Sequence, residues 1–252
     1  MAEAYMAITA TIACRVDCDF CPQELLIKEY ELQNNLTNIS YGNPNIMDFS
    51  VFKQCIDKIP ENVQISFGGY SEIFLHPEAA KMILYAFDSG HKISIYSTLV
   101  GLKLEDIDKI KHIPFANFHI HLPDSSSYAK IAVNKNYLAI LKKLQESNIK
   151  NLTCMSMGDL HPKVKDILHI DIEAEKMISR AGNLSNVKND FEKKLGPLSC
   201  NISSHDGLED RFDANTLLPN GDVTLCCMAV SYTHLRAHET EAALVCRLLL
   251  EK

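Results

Sequence analysis

The chain has 252 residues, of which 46% are hydrophobic and 23% charged, and its formal net charge is -7 at pH 7. This is the composition of an ordinary globular protein, with enough apolar material for one sizeable core. The acidic balance without a lysine- or arginine-rich block argues against nucleic acid and membrane surfaces as partners, and no apolar run reaches the roughly 20 residues that span a bilayer.

Apolar runs of strand length alternate along the chain with segments of helical periodicity. The predicted strands are 5–13, 63–67, 92–97, 117–122, 151–157 and 175–179, and the predicted helices are 48–59, 77–89, 104–111 and 136–147. Strands that alternate with helices form right-handed βαβ units and a parallel sheet. Five or six units are too few for a closed eight-stranded barrel. We therefore expect an α/β fold, a partial TIM-like (β/α)6 barrel with its site at the C-terminal strand ends.

Three cysteines lie within eight residues, in the sequence CRVDCDFC directly after the first predicted strand. Cys14, Cys18 and Cys21 are spaced as Cys-x3-Cys-x2-Cys, with the aromatic Phe20 just before the third. The nine cysteines of the chain are an odd number, and no export signal precedes them, so reduced, metal-binding thiolates in the cytoplasm are expected rather than disulfides. A zinc site and a chance grouping of the three cysteines remain alternatives, although zinc usually takes cysteines in pairs.

This cysteine spacing resembles the signature of radical S-adenosylmethionine (SAM) enzymes. The resemblance implies that the three cysteines hold a [4Fe-4S] cluster whose fourth iron stays open to bind SAM, whereas four cysteines would close the cluster. It also implies reductive cleavage of SAM to a 5′-deoxyadenosyl radical, which abstracts hydrogen from a substrate. Relatives act on peptides or on sugars and other small molecules, and take an electron from a donor such as flavodoxin or ferredoxin. Arg15 departs from the Asn of many relatives, at a position that is not a ligand.

A second segment, ISFGGYSEIFLHP at 65–77, is similar to the glycine-rich motif that follows the second strand in this family. The residues in the places of the motif are Gly69, Tyr70, Ser71 and Glu72. The resemblance implies that they approach the ammonium group of SAM, which glycine permits because it lacks a side chain. Ser71 and Ile73 replace the usual Gly and Pro, and a simple turn is the alternative.

Ser97 and Thr98, after the third predicted strand, lie where relatives place small polar residues near the cofactor, and a plain strand end is the alternative. The resemblance also implies that Phe20, next to the third cysteine, borders the cofactor. His121 on the fourth strand would contact the SAM ribose or the substrate if its face is the barrel interior, and Arg180 lies near the end of the predicted sixth strand. His119 and His121 share one face by strand alternation, and a structural histidine pair is an alternative. Arg180 could bind the SAM carboxylate in a bidentate manner, or lie on the surface.

The last third of the chain contains further cysteines around a predicted hairpin turn, PNGD at 219–222. Gly221 and Cys226 resemble the opening of the SPASM extension, which binds auxiliary iron–sulfur clusters. The resemblance implies that Cys200 and Cys226 begin an auxiliary site that is incomplete in this chain; a buried cysteine on a hairpin is the alternative.

The segment 231–252 resembles translated sequencing-adapter sequence rather than protein. We therefore expect a radical SAM core over 1–190, the start of a truncated SPASM-like extension over 191–229 and a non-native tail over 230–252. Besides the enzyme, three other readings stay open: an inactive iron–sulfur fragment, a zinc protein and an electron-transfer iron–sulfur protein.

Overall fold

The protein is described here by a computed structural model that covers residues 4–170, 172–175 and 213–224. Within these ranges the strands are β1 (Tyr5–Ile8), β2 (Thr11–Ile12), β3 (Asn45–Ile46), β4 (Gln64–Phe67), β5 (Ile93–Ser97), β6 (Asn117–Leu122), β7 (Leu152–Met157), β8 (Ile172–Glu175), β9 (Asp213–Leu217) and β10 (Val223–Thr224). The helices are α1 (Gln23–Asn34), α2 (Phe49–Ile56), α3 (Ala79–Asp88), α4 (Leu104–Ile110), α5 (Lys135–Glu146) and α6 (Pro162–Lys165), with a 3₁₀ turn at Ile73–Leu75.

Eight of these strands form one sheet in the order β10-β9-β1-β4-β5-β6-β7-β8. From β1 to β8 every pairing is parallel, and neighbours in the sheet follow one another in the chain with helices between them. Alternate residues of five neighbouring strands, such as Ala7, Ser66 and His119, line a single cavity, so the sheet curves around it. The structure therefore confirms the predicted open (β/α)6 barrel.

The helices that cover the outside of the sheet follow their apolar periodicity. On α2 the apolar residues at helical spacing form one buried face, because Phe52, Cys55 and Ile56 are buried, as is Ile59 just beyond the helix. Gly90 follows α3 with a φ of 93°, as expected for the residue that ends a helix. The prediction that this helix begins at Pro77 was wrong, because α3 begins two residues later, at Ala79. Pro77 lies between the 3₁₀ turn at Ile73–Leu75 and the helix.

Two further predictions differ from the structure near the cysteine loop. The predicted strand 5–13 is interrupted after Ile8, because the backbone of Thr9 bonds to Leu217 and that of Ala10 to Met47, which turns β2 away to pair with β3. Helix α1 was not predicted. Its exposed face carries Leu25 and Leu32, so the apolar residues do not separate cleanly onto one side.

The predicted hairpin around PNGD is confirmed and extends the sheet. β9 and β10 are antiparallel, and the turn between them is closed by a hydrogen bond from Leu218 N to Asp222 O at 2.8 Å. β9 pairs with β1 in parallel, so these residues, which sequence analysis assigned to an extension, continue the barrel sheet. Leu218 packs with Ile12, Tyr30 and Tyr70 in a small apolar cluster beside the cysteine loop.

Several predicted features lie outside the described residues: Arg180, Cys200, Cys226, the segment 176–212 and the tail from 225 onward. The strand predicted at 175–179 overlaps β8 only at Glu175, because β8 covers Ile172–Glu175. The rest of the predicted strand lies outside the described residues. A search of the described residues for a helix long and apolar enough to cross a membrane found none.

Candidate functional site

A cavity of about 420 Å³ opens at the C-terminal ends of the parallel strands. Every predicted site residue within the described ranges lines it: Cys14, Cys18, Phe20, Cys21, Gly69, Tyr70, Ser71, Glu72, Ser97, Thr98 and His121. The cysteines follow β1, the glycine-rich segment follows β4, and the polar pair ends β5. Parallel strands bring their C-terminal ends to one edge, which is why segments far apart in sequence meet here.

The cysteine loop is a series of tight turns that direct its thiols toward the cavity. Cys14 is buried, whereas Cys18 and Cys21 are half-buried. Left-handed φ angles at Ala13 and Asp17 reverse the backbone. Cys21 N donates to Cys18 O at 2.9 Å, which closes the second turn. A straight strand could not direct three side chains, spaced four and three residues apart, into one cavity.

Burial also raises the pKa of two of these thiols, those of Cys14 and Cys18. It raises the pKa of Cys14 to about 11, and burial together with the neighbouring Cys21 raises the pKa of Cys18 further. Metal ligation needs thiolates, so a bound metal must displace protons here. Among the described residues, no three His, Cys, Asp or Glu side chains converge closely enough to hold one metal ion.

Lys130 neutralises the acidic residues of the cysteine loop. Its Nζ lies 3.1 Å from Asp17 Oδ2 and 2.9 Å from Asp19 Oδ1. The backbone N–H of Asp19 also donates to Tyr128 O at 2.9 Å, in the loop that precedes Lys130. The loop between β6 and α5 therefore supports the cysteine loop from outside.

The glycine-rich segment approaches the first strand so closely that only glycine fits. Gly69 has a φ of 53°, and a β-carbon there would lie 2.3 Å from Thr9 Oγ1. The same hydroxyl oxygen accepts a hydrogen bond from Tyr70 N at 3.0 Å. The ring of Tyr70 is buried in the small apolar cluster beside the cysteine loop.

The carboxylate of Glu72 is buried and is held by the end of β5. Ser97 Oγ donates to Oε1 at 2.8 Å, Thr98 Oγ1 donates to Oε2 at 2.6 Å, and the backbone N–H of Thr98 donates to Oε2 as well. Burial raises the pKa of Glu72, while these hydrogen bonds act in the opposite direction. Its own backbone N–H donates to Cys14 Sγ at 3.4 Å, which joins this segment to the cysteine loop.

Two buried polar atoms in the cavity wall have no hydrogen-bond partner in the structure: Ser71 Oγ and His121 Nε2. Buried polar atoms are nearly always paired in proteins, so each of these two has a hydrogen bond available for water or for a bound ligand. The ring of His121 stacks on that of Phe20, with centroids 5.4 Å apart. Burial and the neighbouring His119 lower the pKa of His121 to about 4, so its imidazole is neutral at pH 7.

Sequence analysis missed several residues that build the site. Gln23, Thr9 and Lys130 fix the loops that carry the predicted residues. Tyr96 lines the cavity with its ring 5.5 Å from that of His119. For Tyr96 a sequence signal was present: it lies two residues after Ser94 on the same strand, so the two side chains point to the same face of the sheet. For the other three no sequence signal existed, because each has a partner at least 47 positions away in the chain.

Among the comparisons with known proteins, only the solved structures give matches. No protein-family model matches the chain, and no curated protein matches its sequence. The structure of BtrN in complex with AdoMet and 2-DOIA aligns over 99% of this chain and 87% of its own, with a TM-score of 0.58 and 13% identity.

The structure of Streptococcus suis SuiB bound to the precursor peptide SuiA aligns over 92% of this chain, with a TM-score of 0.57 and 12% identity. The aligned region is 61% of the SuiB chain. SuiB bound to S-adenosylmethionine aligns with a TM-score of 0.50 and 9% identity. At these identities the similarity establishes a common α/β fold.

Proposed function

We propose that the protein is a radical SAM enzyme that binds a [4Fe-4S] cluster through Cys14, Cys18 and Cys21. The observation that carries the proposal is that these three thiols and the glycine-rich segment line the same cavity, although they follow different strands. The solved structures with this fold include two complexes with S-adenosylmethionine (AdoMet), one of BtrN and one of SuiB, which supports the same cofactor here. When bound, the cluster and SAM supply a 5′-deoxyadenosyl radical that abstracts hydrogen from the substrate.

The residues present fit these two groups. A cavity of about 420 Å³ is within the range of small-molecule and cofactor sites. Three protein thiolates leave one iron for an exogenous ligand, which a zinc ribbon or a four-cysteine ferredoxin does not. The unpaired Ser71 Oγ and His121 Nε2 offer hydrogen bonds to a polar ligand at the same wall.

Around these groups, we assign the following roles to residues of the chain. Phe20 and His121 form a stacked pair that would bound the cofactor on its aromatic side. Glu72, fixed by Ser97 and Thr98, places a negative charge beside the glycine-rich backbone, where a cationic ligand group would be favoured. His121, neutral at pH 7, would donate or accept a hydrogen bond without adding positive charge.

The substrate is proposed only as a class, a peptide or a sugar-like small molecule. BtrN was solved with 2-DOIA and SuiB with a precursor peptide, and this chain shares the fold of both. We also propose a flavodoxin or ferredoxin as electron donor and a cytoplasmic location. An auxiliary cluster on Cys200 and Cys226, the SPASM-like extension and Arg180 as a carboxylate ligand remain predictions on residues outside the described ranges.

The experiment that tests the function is anaerobic reconstitution with iron and sulfide, followed by a SAM-cleavage assay with dithionite. We expect cluster absorbance and formation of 5′-deoxyadenosine. Alanine variants of Cys14, Cys18 or Cys21 should lose both. Cys154→Ala is the matched control, because Cys154 is a buried cysteine on the helix-covered side of β7 and should retain the cluster.

Two results would exclude the enzyme. Bound zinc without cluster absorbance would identify a zinc protein. A cluster whose absorbance spectrum and reduction potential do not change when SAM is added, with no 5′-deoxyadenosine formed, would identify an electron-transfer protein or an inactive fragment.

A further inference from the structure

Gln23 is the first residue of α1, two positions after the third cysteine, and its side chain is almost fully buried, at 2% exposed. A buried amide must find hydrogen-bond partners for its oxygen and its nitrogen, because leaving either unpaired costs free energy. The sequence gives no reason for an amide here. The function proposed above does not use it.

The partners of this amide belong to three different parts of the site. Oε1 accepts from the backbone N–H of Cys14 at 3.0 Å. Nε2 donates to the backbone carbonyl of Tyr70 in the glycine-rich segment, and to Cys21 Sγ at 3.6 Å. One side chain therefore joins the first cysteine, the third cysteine and the glycine-rich segment.

The orientation of the amide is determined by its backbone partners. A backbone N–H can only donate and a carbonyl can only accept, so the oxygen must face Cys14 and the nitrogen must face Tyr70. The N–H group near Cys21 is therefore a donor that points toward the sulfur.

A donor that points toward a ligand sulfur changes the energy of an iron–sulfur cluster. Reduction adds negative charge that is shared with the sulfurs, and an N–H dipole stabilises this charge, which raises the reduction potential. Backbone N–H groups act in the same way, as that of Glu72 does on Cys14 Sγ at 3.4 Å. A side-chain donor differs in that a substitution can remove it.

We propose that Gln23 is a positioning residue that raises the reduction potential of the cluster and holds the glycine-rich segment against the cysteine loop. The inference rests on the proposed function, because it needs a cluster on the three cysteines. It adds a residue for which the fold comparisons and the cysteine motif give no role.

The test is an electron paramagnetic resonance redox titration of the reconstituted protein without SAM. Gln23→Leu removes donor and acceptor at similar volume, whereas Gln23→Glu keeps an oxygen for Cys14 N–H and removes the donor to Cys21. At the midpoint potential of the unmodified protein, we expect the ratio of reduced to oxidised cluster to fall about tenfold in Gln23→Leu, a shift of about 59 mV for one electron. In Gln23→Glu it should fall at least as far, because the added carboxylate also disfavours reduction.

Gln64→Leu is the matched control. Gln64 is a glutamine that lines the cavity, and its amide donates to Ser94 Oγ at 3.0 Å and not to a cysteine. The midpoint potential of Gln64→Leu should equal that of the unmodified protein. A nonspecific effect of replacing a glutamine in this part of the fold would instead shift all three variants alike and overturn the inference.

The outcomes separate the inference from the function on which it rests. A protein that binds a cluster and cleaves SAM, with unchanged midpoints in both Gln23 variants, keeps the proposed function and overturns the inference. A protein that binds no cluster overturns both. If Gln23→Leu alone assembles no cluster, alkylation of the apoprotein decides: faster modification of Cys14 than in the unmodified protein supports the positioning role, and an unchanged rate overturns it.

Discussion

Gly69 lies directly against Thr9, so that a β-carbon at position 69 would stand 2.3 Å from the Thr9 hydroxyl oxygen and 3.1 Å from Ile8 O. Thr9 directly follows β1, the first barrel strand, and Gly69 lies in the turn after β4. The contact fixes the distance between the strand that leads into the cysteine loop and the segment that faces it. The width of the cavity at this point depends on the absence of a side chain at Gly69.

Gly69→Ala should therefore destabilise the protein more than a change in backbone conformation alone would. Forcing alanine into a left-handed φ costs about 1–2 kcal/mol. Overlap with Thr9 adds to this, and we expect a loss of about 3 kcal/mol or more in the free energy of unfolding by urea. Gly158→Ala is the control, because Gly158 has a φ of 91° with nothing within 4 Å of the added carbon. Equal losses in the two variants would contradict the steric role of Thr9.

Lys130→Met should weaken retention of the cluster while leaving the fold nearly unchanged. Lys130, Asp17 and Asp19 are all exposed by 40% or more, so the ion pairs contribute less than about 1 kcal/mol to stability. Without the lysine, the two carboxylates would lose this positive charge beside an anionic cluster. We expect iron to be lost several-fold faster to a chelator, with the difference decreasing as salt is added.

The control for this variant is Lys142→Met, since Lys142 pairs only loosely with Glu146 at 3.9 Å on α5. It should release iron at the rate of the unmodified protein. The same rate in Lys130→Met, at low ionic strength, would show that the acidic pair of the cysteine loop needs no neutralisation.

The neutral, buried His121 predicts how the stability of the apoprotein depends on pH. Its folded pKa, about 4, is below the ordinary value of 6.5, so between these values the unfolded chain binds more protons than the folded one. Stability should therefore fall as the pH drops from about 6.5 to about 4, by up to about 3 kcal/mol from this residue. Unfolding by urea at successive pH values measures the slope.

His121→Asn should reduce that slope, although it also removes the ring stacked on Phe20 and lowers stability at pH 7. The comparison therefore concerns slopes and not absolute values. Some acid sensitivity should persist, because burial also lowers the pKa of His76. Parallel stability curves for the variant and the unmodified protein would mean that His121 does not titrate as proposed.

Much of the fold was predictable because apolar periodicity along the sequence indicates where the strands and helices lie. Strands 117–122 and 151–157 are runs of apolar and alternating residues, and the structure places β6 and β7 there within one residue. Helix α1 was missed because its inward residues include Gln23, a polar residue that the apolar pattern cannot identify as buried. The break after Ile8 was missed because the partners of Thr9 and Ala10 lie in distant segments.

The candidate site divides in the same way. The spacing of Cys14, Cys18 and Cys21 and the pair of glycines before Tyr70 are local, and they were enough to predict a shared site. The order of the strands was predictable too, since alternating strands and helices permit few arrangements. By itself, then, the sequence determined the open barrel, the edge that carries the site and the residues expected there.

Only the tertiary structure decided how these residues are held. The hydrogen bonds of Gln23 to Cys14 and Tyr70, the ion pairs of Lys130 with the cysteine loop and the contact of Gly69 with Thr9 join residues between 9 and 113 positions apart. Such contacts follow from the packing of strands and loops, which depends on the whole chain at once. Local periodicity and spacing therefore indicate which residues meet, whereas the packed fold sets their protonation, their partners and the space that remains for a ligand.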